Sequence, residues 1–166
     1  QYRFVDADSS GDLTTGDTDV TEYVWDHRNR LVEVKDFADH AAYAAGTPSQ
    51  VVQHTYDFGN RWTRKVFNPG QADERATIFV YDGNETALQF EKAGTGDLTA
   101  TDLAHRYLFG TAVDQILADE QLHYDSGTGQ FVTDEILSPL TDHLGTVRDA
   151  VDTNSTVRIH REYDAF

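Results

Sequence analysis

One unit recurs along this chain and limits what it can become. A short run of aromatic and β-branched residues ends in Tyr-Asp or a near relative, a small turn follows, and a second such run leads away. Residues 20–35 read VTEYVWDHRNRLVEVK, with the turn at Asp26-His27-Arg28-Asn29. Residues 51–67 read VVQHTYDFGNRWTRKVF, turning at Asp57-Phe58-Gly59-Asn60, where Gly59 is free to take a positive φ. Residues 77–92 read TIFVYDGNETALQFEK, turning at Gly83-Asn84. Each of these segments predicts a β-hairpin. The turns begin at Asp26, Asp57 and Asp82, so the repeat is irregular in length.

The second half continues in the same manner. Residues 105–121 (HRYLFGTAVDQILADEQ) predict two strands around Gly110, and 122–137 (LHYDSGTGQFVTDEIL) a hairpin turning on SGTG. Residues 140–152 (LTDHLGTVRDAVD) predict strand, turn near Gly145, and strand, while 156–166 (TVRIHREYDAF) alternates as a further strand. Two stretches depart from the pattern. FADHAAYAAG (37–46) is alanine-rich and predicts about two helical turns closed by Gly46 and Pro48. AGTGDLTATDLA (93–104) predicts a polar loop with a helical turn near Thr101. The fold expected is therefore all-β, successive antiparallel hairpins with at most short helical turns. It would be one domain over 1–166, with hairpins over 1–92 and a second segment over 93–166.

Composition agrees. Tyrosine and phenylalanine outnumber tryptophan, 8 and 9 against 2, and an aromatic, β-branched chain favours strands. The 29 acidic residues against 13 basic ones give a net charge of −16, which repels nucleic acid and anionic membrane and suits divalent cations. With no cysteine, neither a disulfide framework nor a thiolate zinc site can form. The chain begins QYRFV, already strand-like, has no methionine, and stops at REYDAF in mid-pattern, which reads as part of a longer polypeptide.

These motifs resemble the RHS/YD-repeat family. YDFGNR (56–61) nearly matches that repeat, VWDHRNRLVEV (24–34) matches in the same register with Trp25 in the tyrosine's place, and VYDGNETAL (80–88) keeps the Tyr-Asp. LTDHLGTVRDAVD (140–152) followed by HREYDAF (160–166) resembles the core segment that ends RHS arrays, and RYLFGTAVDQILADE (106–120) the segment before it. The resemblance implies a β-sheet ribbon spiralling into the wall of a shell around a C-terminal toxin or effector, or running as a filament. It implies a secreted or cell-surface protein, and partners that are the rest of its own chain or further copies meeting at sheet edges. Family members cleave themselves with aspartates downstream of the YDAFG segment. This chain ends before that motif, so no catalytic residue carries over and no enzyme activity is expected. The residues suggest their own logic for Tyr-Asp. The tyrosine ring packs on neighbouring strands with its hydroxyl at the rim, and the aspartate accepts backbone N–H groups in the turn. Arg30 and Arg61 are expected to pair with acids on the next hairpin.

Residues 6–17, DADSSGDLTTGD, read as a twelve-residue calcium loop. Asp6, Asp8, Ser10, Asp12 (through its carbonyl) and Asp17 fall at ligand positions, with Gly11 at the sharp turn. The flanks, YRFV and DVTEYVWD, are strand-like, so no EF-hand helix pair is expected. Two readings stand: a low-affinity structural Ca2+ site inserted between strands, or a solvated acidic turn. Asp17 at position twelve, shorter than glutamate, makes bidentate ligation harder.

Other constellations read as structural. His143 beside Asp142 points to the opposite strand face from its neighbour. His27, His54, His105 and His160 fit no zinc spacing. GTGDLTATD (94–102) lacks the lysine of a phosphate loop. Trp25, Trp62 and the tyrosines leave open a second function, an adhesion module that binds a glycan or protein partner.

Overall fold

The computed structural model describes residues 1–111, 115–142 and 144–163. His143 and the Asp164 of the last Tyr-Asp lie outside the described residues.

Twelve strands make up nearly all of the regular structure: β1 (Tyr2–Val5), β2 (Thr18–Trp25), β3 (Leu31–Asp39), β4 (Gln50–Tyr56), β5 (Trp62–Phe67), β6 (Arg75–Asp82), β7 (Glu85–Ala93), β8 (Leu103–Phe109), β9 (Ile116–Asp125), β10 (Gln130–Thr141), β11 (Val147–Val151) and β12 (Val157–His160). They form an open sheet whose strand order follows the sequence from β1 to β12. Every pair with a described register is antiparallel. The expected hairpins are therefore present. One boundary differs: the runs predicted on either side of residue 121 are a single ten-residue strand, β9.

A short helix, α1 (His40–Ala45), occupies part of the predicted alanine-rich stretch, and a single 3-10 turn spans Ala100–Asp102. The Asp39 carboxylate starts α1 by accepting from the Ala42 N–H at 2.8 Å. Gly46 ends it in the left-handed region at φ 67°. Phe37 and Ala38 stay in strand, because Phe37 faces Val20 across β2–β3.

Two compact units form, one of residues 1–78 with 92–96 and one of residues 79–91 with Asp97 onward. In the first unit the buried apolar residues are Val20, Phe37, Val66 and Ala76, and Tyr43 of α1 stands edge-on to Phe37 at 5.3 Å. In the second they are Leu122, Leu137 and Ala150. Burying one such large side chain contributes roughly 1.5–3 kcal/mol. So few buried residues leave much of the ordering to ladder hydrogen bonds and turns.

Candidate functional site

Among the described residues, four hairpin turns are built the same way, from one aspartate each. Asp26, Asp57, Asp142 and Asp152 donate their own N–H to the carbonyl four residues on, at Arg30, Arg61, Thr146 and Thr156, with distances of 2.9–3.0 Å. The residue three places on, Asn29, Asn60, Gly145 or Ser155, has a positive φ and donates back to the aspartate carbonyl. The aspartate Oδ1 then accepts the N–H of the fifth residue of each turn at 2.9–3.0 Å. A shift in strand register falls at each turn, so the residue before the aspartate lies opposite the residue five beyond it. The pairs are Trp25↔Leu31, Tyr56↔Trp62, Thr141↔Val147 and Val151↔Val157. Asparagine and glycine recur here because they enter the left-handed region at little cost.

An arginine closes three of the four. Arg30 Nε donates to Asp26 Oδ2 at 2.8 Å, Arg61 Nε to Asp57 Oδ2 at 2.7 Å, and Arg148 Nε to Asp142 Oδ2 at 3.0 Å. Arg30 thus pairs with an acid of its own turn where one on the next hairpin was expected, and Arg61 also pairs within its own turn, because the turn already holds Oδ2 beside the guanidinium. Burial raises the Asp26 pKa, but bonds from the Arg30 side chain and from the N–H groups of Arg30 and Arg28 overcome it and hold the carboxyl at about 2. The N–H of Arg61, followed by its side chain, holds Asp57 below the usual carboxylate range.

A tyrosine caps two of these turns. The Tyr56 hydroxyl donates to the Leu31 carbonyl at 3.0 Å, and Arg30 lies over its ring at 5.0 Å. The Tyr163 hydroxyl donates to the Val147 carbonyl at 3.1 Å, with Arg148 over its ring at 5.0 Å. In both, the acceptor stands five residues past the aspartate. Tyr56 thus caps the preceding turn while the next residue, Asp57, begins its own.

The acidic loop joins β1 to β2, with no helix on either side. It brings carboxylate oxygens of Asp6, Asp8 and Asp17 within 4.8 Å of one another. Of the other two expected ligands, Ser10 donates its hydroxyl to the Asp12 carbonyl at 3.0 Å, and the Asp12 carboxylate stands outside the group. Asp6 accepts from the N–H groups of Ser10 and Gly11 at 3.2 and 2.8 Å. The Ser10 hydroxyl and N–H hold Asp8 below its ordinary pKa. The sequence did not signal the part Asp17 plays. It is fully buried, its Oδ1 taking the Ala7 N–H at 2.9 Å and its Oδ2 the Thr14 N–H at 2.6 Å, while its carbonyl receives the His40 N–H at the start of α1. These N–H bonds, Thr14's first and then Ala7's, hold its carboxyl below the usual range. Asp17 is the clasp of the loop, and two-oxygen ligation of a cation by it would break those bonds. The oxygens that the loop gathers, one each from Asp6, Asp8 and Asp17, are of the kind a hard cation such as Ca2+ takes.

The second unit has a shallow hollow of about 310 Å³ with Phe79, Gln89, Tyr107 and Phe109 in its lining. The Tyr107 hydroxyl donates to Gln89 Oε1 at 2.9 Å, and burial, with the carboxylates of Asp119 and Glu91, pushes that phenol up to about 12.

No protein-family model and no curated protein matches this chain.

Proposed function

We propose that this chain is a non-catalytic segment of an RHS/YD-repeat sheet in a secreted or cell-surface protein. It would serve as part of a shell wall around a C-terminal toxin or effector, or as part of a filament. The observation that carries this reading is the tyrosine-capped aspartate turn, built alike around Asp26 with Tyr56 and around Asp142 with Tyr163. It gives a physical role to the Tyr-Asp dipeptide on which the resemblance rests. Strand order supports it as well. Each strand pairs with its sequence neighbours, so hairpins can be added one at a time, and β1 and β12 offer open edges to more of the same chain or to another copy. Electron microscopy of the full-length polypeptide tests the reading. A hollow particle or a fibre is expected, and a compact particle with neither lumen nor fibre form would overturn it.

In this reading the loop at 6–17 holds a structural Ca2+ that offsets repulsion among Asp6, Asp8 and Asp17. Melting of the protein in Ca2+ is expected several degrees above melting in chelator, and equal melting would remove the ion.

A second reading, an adhesion module for glycans or a protein partner, is favoured by the aromatic exposure of the first unit. Phe58 is 90% exposed at its turn tip, Trp25 45% and Trp62 37%. Binding on a glycan array that Trp25→Ala and Trp62→Ala abolish would select it over the wall.

A further inference from the structure

The six described histidines divide evenly between the units and behave differently in each. His27, His40 and His54 belong to the first; His105, His123 and His160 belong to the second. Each of these last three reaches across to a neighbouring strand and meets an aspartate through Nδ1. His105 on β8 meets Asp119 on β9 at 2.7 Å, His123 on β9 meets Asp134 on β10 at 2.7 Å, and His160 on β12 meets Asp149 on β11 at 2.6 Å. Register explains the contacts. Asp149 lies directly opposite His160. Asp119 lies opposite Tyr107 and so diagonal to His105. Asp134 is the extra residue of the register shift between Thr133 and Glu135, two residues along β10 from Val132, the partner of His123.

No histidine of the first unit has an acid partner among the described residues. His54 is instead packed against the Trp62 ring at 4.9 Å, opposite Lys65, with its Nδ1 buried and without a hydrogen-bond partner.

We propose that the second unit carries a proton-operated strap. Protonation of His105 and His160 turns two cross-strand hydrogen bonds into ion pairs, tightening β8 on β9 and β11 on β12, with no counterpart in the first unit.

The surrounding charges favour this. Glu91 of β7 stands 3.8 Å from His105 Nε2, the Tyr107 ring stacks on the imidazole at 5.8 Å, and Gln89 and Gln121 lie opposite on the two flanking strands. Glu162 stands 3.6 Å from His160 Nε2. Arg106, Arg148 and Arg158 each hold a carboxylate of their own, Glu120, Asp142 and Glu135. Bonding to Asp119 raises His105 above the ordinary 6.5 in spite of burial, and bonding to Asp149 raises His160. A group raised on folding adds stability that is complete below 6.5 and fades as pH climbs through its folded pKa. The strap is therefore tight in mild acid and slack in weak alkali. His54, lowered by burial and then by Lys65, acts in the opposite sense.

Both tryptophans, Trp25 and Trp62, lie in the first unit, so their fluorescence follows that unit alone. Hydrogen exchange in β8 to β12, corrected for intrinsic rate, follows the other. Between about pH 8 and about pH 6, the range in which histidine titrates, protection in β8 to β12 is expected to rise several-fold, with no matching rise in the first unit. The double variant Asp119→Asn, Asp149→Asn should lose that slope. Lowering net charge alone would shift its level and leave the slope, because aspartates titrate well below this window. Equal slopes in both units, or an unchanged slope in the variant, would overturn the strap. If the double variant fails to fold, histidine ring titration of the unaltered protein by NMR decides. Midpoints for His105 and His160 above that of His54 are expected, and the reverse order overturns the proposal.

Discussion

The Asp26 turn with Tyr56 and the Asp142 turn with Tyr163 make the same object from different sequences. In each, a turn, a strand, a connector and a second strand bring a tyrosine back onto the carbonyl five residues past the aspartate. The connector is α1 in the first and the Asp152 turn in the second. The arginine sits four residues after Asp26 but six after Asp142, yet both reach Oδ2 and both stack at 5.0 Å on the ring. What recurs is the place of the guanidinium between carboxylate and ring, not its position in the chain. The two also differ in depth. The Arg30 side chain is 19% exposed and the Arg148 side chain 42%. Arg30 further donates to the Asp57 carbonyl at 3.1 Å and to Asn60 Oδ1 at 3.3 Å, tying its turn to the next one.

Removing the aspartate breaks the comparison most severely. Asp26→Ala strips acceptors from the N–H groups of Arg28 and Arg30 and from the Arg30 side chain, and leaves a half-buried guanidinium without its carboxylate. Asp142→Ala strips the equivalent set from Leu144, Thr146 and Arg148, an arginine whose side chain is the more exposed of the two. Both should lower the melting temperature, Asp26→Ala more, as read by tryptophan fluorescence for the first unit and hydrogen exchange for the second. Acid should act the same way. Asp26 is depressed on folding, so its contribution is present above the ordinary 3.8 and disappears as pH falls through about 2. Equal losses from the two variants would mean that depth does not matter.

The hairpins and turns were legible because punctuation by aspartate, glycine and asparagine between β-runs is a local signal. The helix was legible from its alanines and Gly46. What lay beyond reach depended on register. The hold of Arg148 on Asp142 requires the register shift between Leu140 and Thr141, and the pairing of His123 with Asp134 requires the one between Thr133 and Glu135. Neither shift is marked by a glycine or proline at the shifted residues. Loop spacing places Asp17 at position twelve of a calcium loop but does not display its part in closing the loop. Its bond to Ala7, ten residues back, exists only once the loop has closed.

Exchanging arginine for lysine sharpens the comparison with a smaller effect. Lysine keeps the charge but loses the planar fork that serves carboxylate, carbonyl and ring together. Arg30→Lys should cost about 1–3 kcal/mol, because charge-assisted bonds and a stacked ring are lost at a partly buried site. Arg148→Lys should cost about 0–1 kcal/mol, in the range of an exposed pair. Urea titration of each variant measures the difference, and a larger loss for Arg148→Lys would reverse the ranking by depth.

The smallest change removes one oxygen. Tyr56→Phe keeps the ring under Arg30 and deletes only the bond to the Leu31 carbonyl, at a cost of about 1 kcal/mol. The Leu31 carbonyl would be left without that donor at a half-buried strand start, where water reaches it poorly. Tyr163 is 51% exposed, so water can take the place of its hydroxyl on the Val147 carbonyl. Tyr163→Phe should therefore change stability by about 0.5 kcal/mol or less. If the hydroxyl mattered equally in both, the tyrosine would act as a hydrogen-bonding pin whatever its depth. If only Tyr56→Phe registers, the ring under the arginine is the common element, and the hydroxyl adds to it where water is kept out.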